Sequence, residues 1–155
     1  TFLNGRQHGQ GTYRLPNGYE YTGDWFEGEI RGEGVARFPN GSVYEGQFAN
    51  GQREGEGKVT YANGDVYQGQ FVADSRHGQG TFTATDGYSY EGQWAEGDIA
   101  GEGKVTYPDG SVYTGSFVNG RRHGEGEITM SGGLRLTNWT SSILKPACFR
   151  NKWRK

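Results

Sequence analysis

The chain has 155 residues, about the length of one ordinary domain, and 29 of them are Gly. Leu, Ile, Val and Phe together number only 25, too few for a thick aliphatic core. Disorder is disfavoured because 22 residues are aromatic and the formal net charge is only −2. The sequence contains no run of about 18 apolar residues, which argues against a transmembrane helix. Its single cysteine, Cys148, excludes an intramolecular disulfide framework.

The charge divides the chain into two regions. Residues 1–134 contain all 18 acidic residues and 10 of the 16 Lys and Arg, which makes them net −8. Residues 135–155 contain the other six basic residues and no acid, which makes them net +6. The first residue is Thr1, and no charged-then-apolar leader follows it. We therefore expect a fragment without a visible targeting signal, for which a cytoplasmic location is favoured and the true location is unknown.

A 23-residue repeat organises residues 1–135. One Tyr marks the start of each full repeat, at Tyr21, Tyr44, Tyr67, Tyr90 and Tyr113. Counted from that Tyr as position 1, position 5 is always Trp or Phe, and Gly recurs at positions 3, 8, 12, 14 and 21. Asp74 is the one exception at position 8. The predicted units lie near 1–20, 21–43, 44–66, 67–89, 90–112 and 113–135.

Each repeat reads as a β-hairpin. Positions 1–5 and positions 12–18 alternate between apolar or Gly residues and polar residues, which is typical of strands. A Gly-bearing loop at 49–54 is predicted to join the two strands of one repeat. Tight turns such as Pro39-Asn40-Gly41 then lead to the next repeat, because Asn-Gly and Asp-Gly provide residues that accept φ > 0.

The period of two assigns opposite faces to these strands. Aromatic residues and Gly share one face, and residues such as Glu45, Gln47, Glu56 and Lys58 share the other. A ring lying over the Gly of a neighbouring strand would let the sheet stabilise itself within one layer. We predict an all-β fold, an elongated single-layer antiparallel meander of about six hairpins with a short C-terminal segment. The alternative is a two-sheet sandwich, for which inward aliphatic residues are scarce.

These motifs resemble the MORN (membrane occupation and recognition nexus) repeat. The segment from Tyr90 to Ser111 carries the resemblance in full: Tyr-Glu-Gly-Gln-Trp, then Gly97, Gly-Glu-Gly at 101–103, and Tyr-Pro-Asp-Gly-Ser at 107–111. The resemblance covers about residues 2–135 and implies a row of hairpins that form one long twisted sheet. It also implies a scaffold or binding module, with a partner helix in an aromatic groove, homodimerisation and phosphoinositide binding as properties associated with the family.

The sequence departs from the family pattern in two places. Position 11, often His in the family, is His8, Arg31, Glu54, His77, Ala100 and His123. The next repeat should open with Tyr-x-Gly after Arg135, but the chain reads Leu-Thr-Asn-Trp. The array is therefore predicted to end there.

Nothing in the sequence indicates catalysis, a cofactor or a metal. The recurring Gly-x-Gly lacks the strand–loop–helix context of a nucleotide site, and no metal-protease or nucleophile motif is present. His8, His77 and His123 are too far apart along a sheet to share one metal, so hydrogen bonds in loops are the expected role. No catalytic, cofactor-binding or metal residue is predicted, and the protein is not expected to be an enzyme.

The aromatic face is the candidate binding site. Its alternative role is packing within the sheet, but aromatic residues also dominate interface hot spots. The predicted partner is a protein, a peptide or a second copy of the chain, with a homo-oligomer expected. The candidate residues are Tyr21, Trp25, Phe38, Tyr44, Phe48, Tyr61, Tyr67, Phe71, Tyr90, Trp94, Tyr107, Tyr113 and Phe117.

An anionic membrane surface is the second candidate partner. The net −8 of the repeats disfavours it, and it disfavours nucleic acid for the same reason. The basic residues of the repeats fall mainly in one predicted row of loops: Arg6, Arg31, Arg53, Arg76, Arg121 and Arg122.

The segment 136–155 is basic and aromatic. A cap on the last hairpin, a disordered or extraneous tail, and a membrane or partner anchor remain alternatives for it. Its apolar residues Trp139, Ile143, Phe149 and Trp153 predict docking on the C-terminal end of the sheet of this chain or of a second copy.

Overall fold

The computed structural model describes residues 2–136. The chain divides into two compact units, residues 1–75 and 76–155, with no helix assigned among the described residues. None of the described segments could therefore cross a membrane as a helix. The docking prediction for Trp139, Ile143, Phe149 and Trp153 lies outside the described residues.

The described part of the first unit contains a two-stranded ribbon and a six-stranded meander. Strands β1 (Phe2–Leu3) and β2 (Arg6–Gln7) form the ribbon. The meander follows in chain order, with each strand antiparallel to the next: β3 (Gly9–Arg14), β4 (Glu20–Phe26), β5 (Glu29–Arg37), β6 (Val43–Ala49), β7 (Gln52–Thr60) and β8 (Val66–Val72).

The second unit repeats this arrangement in its described part. Its strands also follow chain order as antiparallel neighbours: β9 (Ser75–Thr83, which begins at the unit boundary), β10 (Ser89–Ala95), β11 (Asp98–Thr106), β12 (Val112–Val118), β13 (Arg121–Thr129) and β14 (Arg135–Leu136). The prediction of an all-β antiparallel meander of consecutive hairpins is confirmed, and within each unit the meander is one sheet rather than a sandwich.

The loop predicted at 49–54 is wrong. Both strands of the hairpin continue into it, so that β6 ends at Ala49 and β7 begins at Gln52. Only two residues form the turn, and both have positive φ: 53° for Asn50 and 74° for Gly51. This is the pattern of a type I′ turn, whose twist matches that of the flanking strands.

A bulge of three residues, 54–56, follows this turn inside the hairpin. Gly46 pairs with Gly57 and Phe48 with Arg53, so Gln47 faces three residues of β7. Gly55 lies in this bulge with φ +83°. The Gln47 side chain stabilises the bulge, because its Oε1 accepts a hydrogen bond of 2.9 Å from the backbone N–H of Glu56. The extra residues explain why the polar–apolar alternation breaks in this stretch.

The turns between repeats differ from the prediction in one detail. In Phe38-Pro39-Asn40-Gly41, only Gly41 has positive φ, at 91°. Asn40 contributes its side chain instead, since its Oδ1 accepts a hydrogen bond of 2.9 Å from Ser42 N–H. The same Asx turn is present at Asp109, with 2.8 Å to Ser111 N–H.

Candidate functional site

The Tyr that opens each full repeat has an almost identical environment in all five. For Tyr21, Tyr44, Tyr90 and Tyr113, the ring lies over glycines of its own strand and the next. A Cβ on Gly57, for example, would overlap the Tyr44 ring and hydroxyl. Its hydroxyl donates to the backbone carbonyl three residues later, at 2.7 Å from Tyr44 to Gln47. The other four hydroxyls do the same at 2.8–3.2 Å: Tyr21, Tyr67, Tyr90 and Tyr113. The prediction that rings lie over glycines is confirmed.

The aromatic residues at position 5 complete a continuous stack within each unit. Phe48 meets Tyr21 and Tyr44 edge-to-face, with both centroid distances at 5.0 Å. Phe117 meets Tyr90 and Tyr113 in the same way at 5.3 Å. Edge-to-face pairs add a stabilising quadrupole interaction to the burial of each ring.

The structure buries nine of the thirteen predicted binding residues. Each of the nine is at most 5% exposed: Tyr21, Tyr44, Phe48, Tyr67, Phe71, Tyr90, Trp94, Tyr113 and Phe117. The other four, Trp25, Phe38, Tyr61 and Tyr107, are half-buried. The face therefore combines a buried aromatic layer with a partly accessible one.

The accessible layer includes two tyrosines that sequence reasoning missed. Tyr19 packs edge-to-face on Phe38 at 5.6 Å, and Tyr88 packs on Tyr107 at 5.7 Å. Both precede a repeat by two residues, where the other repeats have Ser, Asp or Leu, so the repeat pattern alone does not mark them. We call the half-buried residues near the inter-repeat turns the rim: Tyr19, Phe38, Tyr61, Tyr88 and Tyr107.

Burial dominates the electrostatics of these phenols. It raises the pKa of Tyr21 to about 12, and it raises the pKa of Tyr44, Tyr90 and Tyr107 further. Their hydroxyl groups therefore remain protonated donors at neutral pH.

Arginines also lie on the aromatic face, which corrects their predicted place in a row of loops. Arg53, Arg76 and Arg122 belong to strands β7, β9 and β13 and occupy position 10 of their repeats. The guanidinium carbon of Arg76 is 4.6 Å from the Trp94 ring centroid, and that of Arg122 is 5.5 Å from Tyr113. Cation–π contact and packing of the aliphatic stem allow arginine to occupy such a position.

The polar residues predicted on the opposite face are exposed there. Glu45, Gln47, Glu56 and Lys58 line one shallow polar depression in the first unit. Their equivalents in the second unit line another: Glu91, Gln93, Glu102 and Lys104. The face assignment from the period of two is confirmed.

Two of the three histidines accept hydrogen bonds at the hairpin tips. His8 Nδ1 lies 3.4 Å from the backbone nitrogen of Glu27, and His77 Nδ1 lies 3.5 Å from that of Glu96. Within residues 2–136, no group of three or more His, Cys, Asp or Glu is placed to hold a metal ion.

The family model of the MORN repeat matches six consecutive segments: residues 1–18, 21–43, 44–66, 67–87, 90–112 and 113–135. These matches cover most of the chain, and the chain belongs to the MORN repeat family. No curated protein matches the sequence.

Solved structures give weaker similarities. The TCP domain of SAS-4 from Drosophila melanogaster, solved with a proline-rich motif of Ana2, is 13% identical with a TM-score of 0.48, and the match covers 85% of each chain. The TCP10 domain of CPAP from Danio rerio is 16% identical with a TM-score of 0.33, over 84% of this chain and 66% of that one. The same domain in complex with a STIL peptide is 22% identical with a TM-score of 0.24, over 83% and 63%.

Proposed function

We propose that the protein is a non-catalytic scaffold that binds a polypeptide through its aromatic face. The supporting observation is the rim, the half-buried aromatic side chains that each unit carries on the face opposite its exposed polar depression. Accessible aromatic side chains contribute a large part of the binding energy at protein interfaces. Contiguous apolar surface on a soluble domain usually marks such an interface.

The buried and accessible aromatic residues have separate roles in this proposal. The nine buried residues support the face, because their rings already lie over glycines and against each other. In the first unit the accessible residues Trp25, Phe38 and Tyr61, together with Tyr19, provide a contact surface. In the second unit Tyr88 and Tyr107 provide another. A partner segment then gains its affinity by covering rim side chains rather than by displacing core ones.

Selection from a random peptide display library tests the proposal. Immobilised protein should enrich peptides, and the double variant Phe38→Ser/Tyr61→Ser should lose most of that enrichment because two accessible rings are removed. The matched control is Glu45→Ser/Gln68→Ser on the exposed polar face, which should retain it. Failure to enrich any peptide, or equal loss in both double variants, would contradict the proposal.

The membrane-surface alternative is tested by flotation with phosphoinositide vesicles at physiological salt. Acidic side chains on the polar face oppose such binding. Vesicle binding without peptide enrichment would favour the alternative. The mass in solution, measured by light scattering, tests whether the polypeptide partner is a second copy of the chain.

A further inference from the structure

Arg53 is the most accessible of the three arginines on the aromatic face. Its side chain keeps 23% of its surface exposed, whereas Arg76 and Arg122 as whole residues are 5% and 1% exposed. Its guanidinium carbon lies 5.1 Å from the Phe71 ring centroid and 5.5 Å from that of Phe38. The guanidinium thus occupies a gap between one buried ring and one rim ring.

Asp74 holds this guanidinium in a fixed orientation. Arg53 Nε donates to Asp74 Oδ1 at 3.1 Å, and Nη2 donates to the Asp74 backbone oxygen at 2.6 Å. The Arg53 backbone N–H also donates to Asp74 Oδ1, at 2.9 Å. Nη1 has no hydrogen-bond partner among the described residues, and it is not a buried unsatisfied atom. Its N–H groups are therefore available to a ligand.

The sequence also distinguishes the Arg53–Asp74 pair from the equivalent positions of the other repeats. Asp74 is the one residue that replaces Gly at position 8, and it adopts a left-handed conformation with φ 70° that disfavours most side chains. Arg76, the equivalent of Arg53 in the next repeat, donates from Nη2 to the backbone oxygen of Gly97, which has no carboxylate to add. The first unit therefore has an arginine whose charge is balanced by a carboxylate of the repeat that follows.

We propose that Arg53 Nη1 binds a carbonyl oxygen of an uncharged, apolar polypeptide segment that packs on Phe38. This deepens the proposed function and rests on it. A guanidinium already paired with a carboxylate has little net attraction for a second anion, because the pair is neutral at the distance of an incoming group. Its remaining N–H groups still donate well to a neutral acceptor. The adjacent ring, whose face is negative, favours an apolar side chain over an acidic one.

Two substitutions test separately the hydrogen-bond donor of Arg53 and the negative charge of Asp74. Arg53→Ile places there the residue that two other repeats carry, Ile30 and Ile99, and removes the donor. Asp74→Asn keeps an oxygen acceptor and a residue type that tolerates positive φ, and removes the negative charge. Circular dichroism confirms that each variant is folded before binding is measured.

Peptide display on the three proteins then tests the inference. Wild-type protein should enrich peptides without excess Asp or Glu, and Arg53→Ile should bind a selected peptide at least about tenfold more weakly. Asp74→Asn should enrich acidic peptides by about two- to fivefold, the effect of one exposed ion pair. Phosphatidylserine vesicles should bind Asp74→Asn more than wild type.

Three results would overturn the inference while leaving the scaffold proposal intact. They are enrichment of acidic peptides by the wild type, identical peptide sets for the wild type and Asp74→Asn, and unchanged affinity of a selected peptide for Arg53→Ile. Failure of the wild type to enrich any peptide would instead contradict the proposed function itself, and the inference with it.

Discussion

At the scale of single residues, the Tyr at position 1 of each full repeat needs the space that neighbouring glycines leave. The hydroxyl of Tyr44 reaches the Gln47 carbonyl only because the ring lies flat across Gly46 and Gly57. A phenylalanine at this position would leave the carbonyl without that donor, which explains why position 1 is Tyr in each full repeat, whereas position 5 is either Phe or Trp. Glycine in these strands therefore provides space for a ring.

Gly57→Ala should destabilise the protein by about 1–3 kcal/mol, the usual cost of overpacking. The added methyl group would overlap the buried Tyr44 ring, whose displacement would also break its hydroxyl hydrogen bond. The free energy of unfolding in urea measures this effect. Gly132→Ala is the control, because a Cβ there meets no atom within 4 Å. Equal stability of the two variants would show that the ring does not need the glycine.

At the scale of strands and hairpins, the two faces have different energetic roles. Phe71 on β8 is 2% exposed and packs against Tyr44 and Tyr67 at 5.1 and 5.2 Å. Glu45 on β6 is exposed on the opposite face. The bulge opposite Gln47 inserts two extra residues into β7, an even number, so Arg53 and Gly57 on either side of it pair with Phe48 and Gly46 on the same face.

Phe71→Ala should lower the free energy of unfolding by about 3 kcal/mol, within the range for truncation of a buried Phe. Glu45→Ala should change it by no more than about 0.5 kcal/mol, as is usual for an exposed site. Urea denaturation of both variants under the same conditions gives the comparison. Similar losses in the two variants would contradict the assignment of the faces.

At the scale of the whole molecule, both units contain tyrosines that burial keeps protonated. Burial raises the pKa of Tyr21 from 10.0 to about 12 in the first unit, and it raises the pKa of Tyr90 in the second unit in the same direction. An unfolded chain would lose these phenolic protons near pH 10, while the folded chain retains them. Unfolding therefore releases protons above that pH, and stability must fall as the pH rises.

We expect stability to be insensitive to these groups up to about pH 9 and to decrease between about pH 10 and 12. Urea unfolding at increasing pH measures the decrease, and tyrosinate absorbance should rise together with unfolding. Tyr21→Phe should make the decrease shallower, because it removes one phenol whose pKa is raised by burial. A free energy of unfolding as high at about pH 11 as at about pH 8 would be the contrary result.

The fold class and the two faces followed from the sequence for a local reason. Each 23-residue repeat carries its own strand and turn residues, and the polar–apolar alternation within its strands assigns their two faces. Every copy of the repeat shows the same pattern. The length of the hairpin loops does not follow from the sequence, because the bulge at Gly55 interrupts the polar–apolar alternation. A two-residue turn at Asn50-Gly51 then has the same pattern as a longer loop.

The sequence alone therefore determined the repeat, the meander and the aromatic face. Only the tertiary structure decided which aromatic residues are accessible, since that depends on how each ring is covered by adjacent strands. It likewise decided the place of Arg53, which in sequence lies beside Glu54 but in the fold packs on Phe38 and Phe71 and pairs with Asp74. Side-chain contacts between residues about one repeat apart have no signature in local periodicity, because they depend on the register between strands.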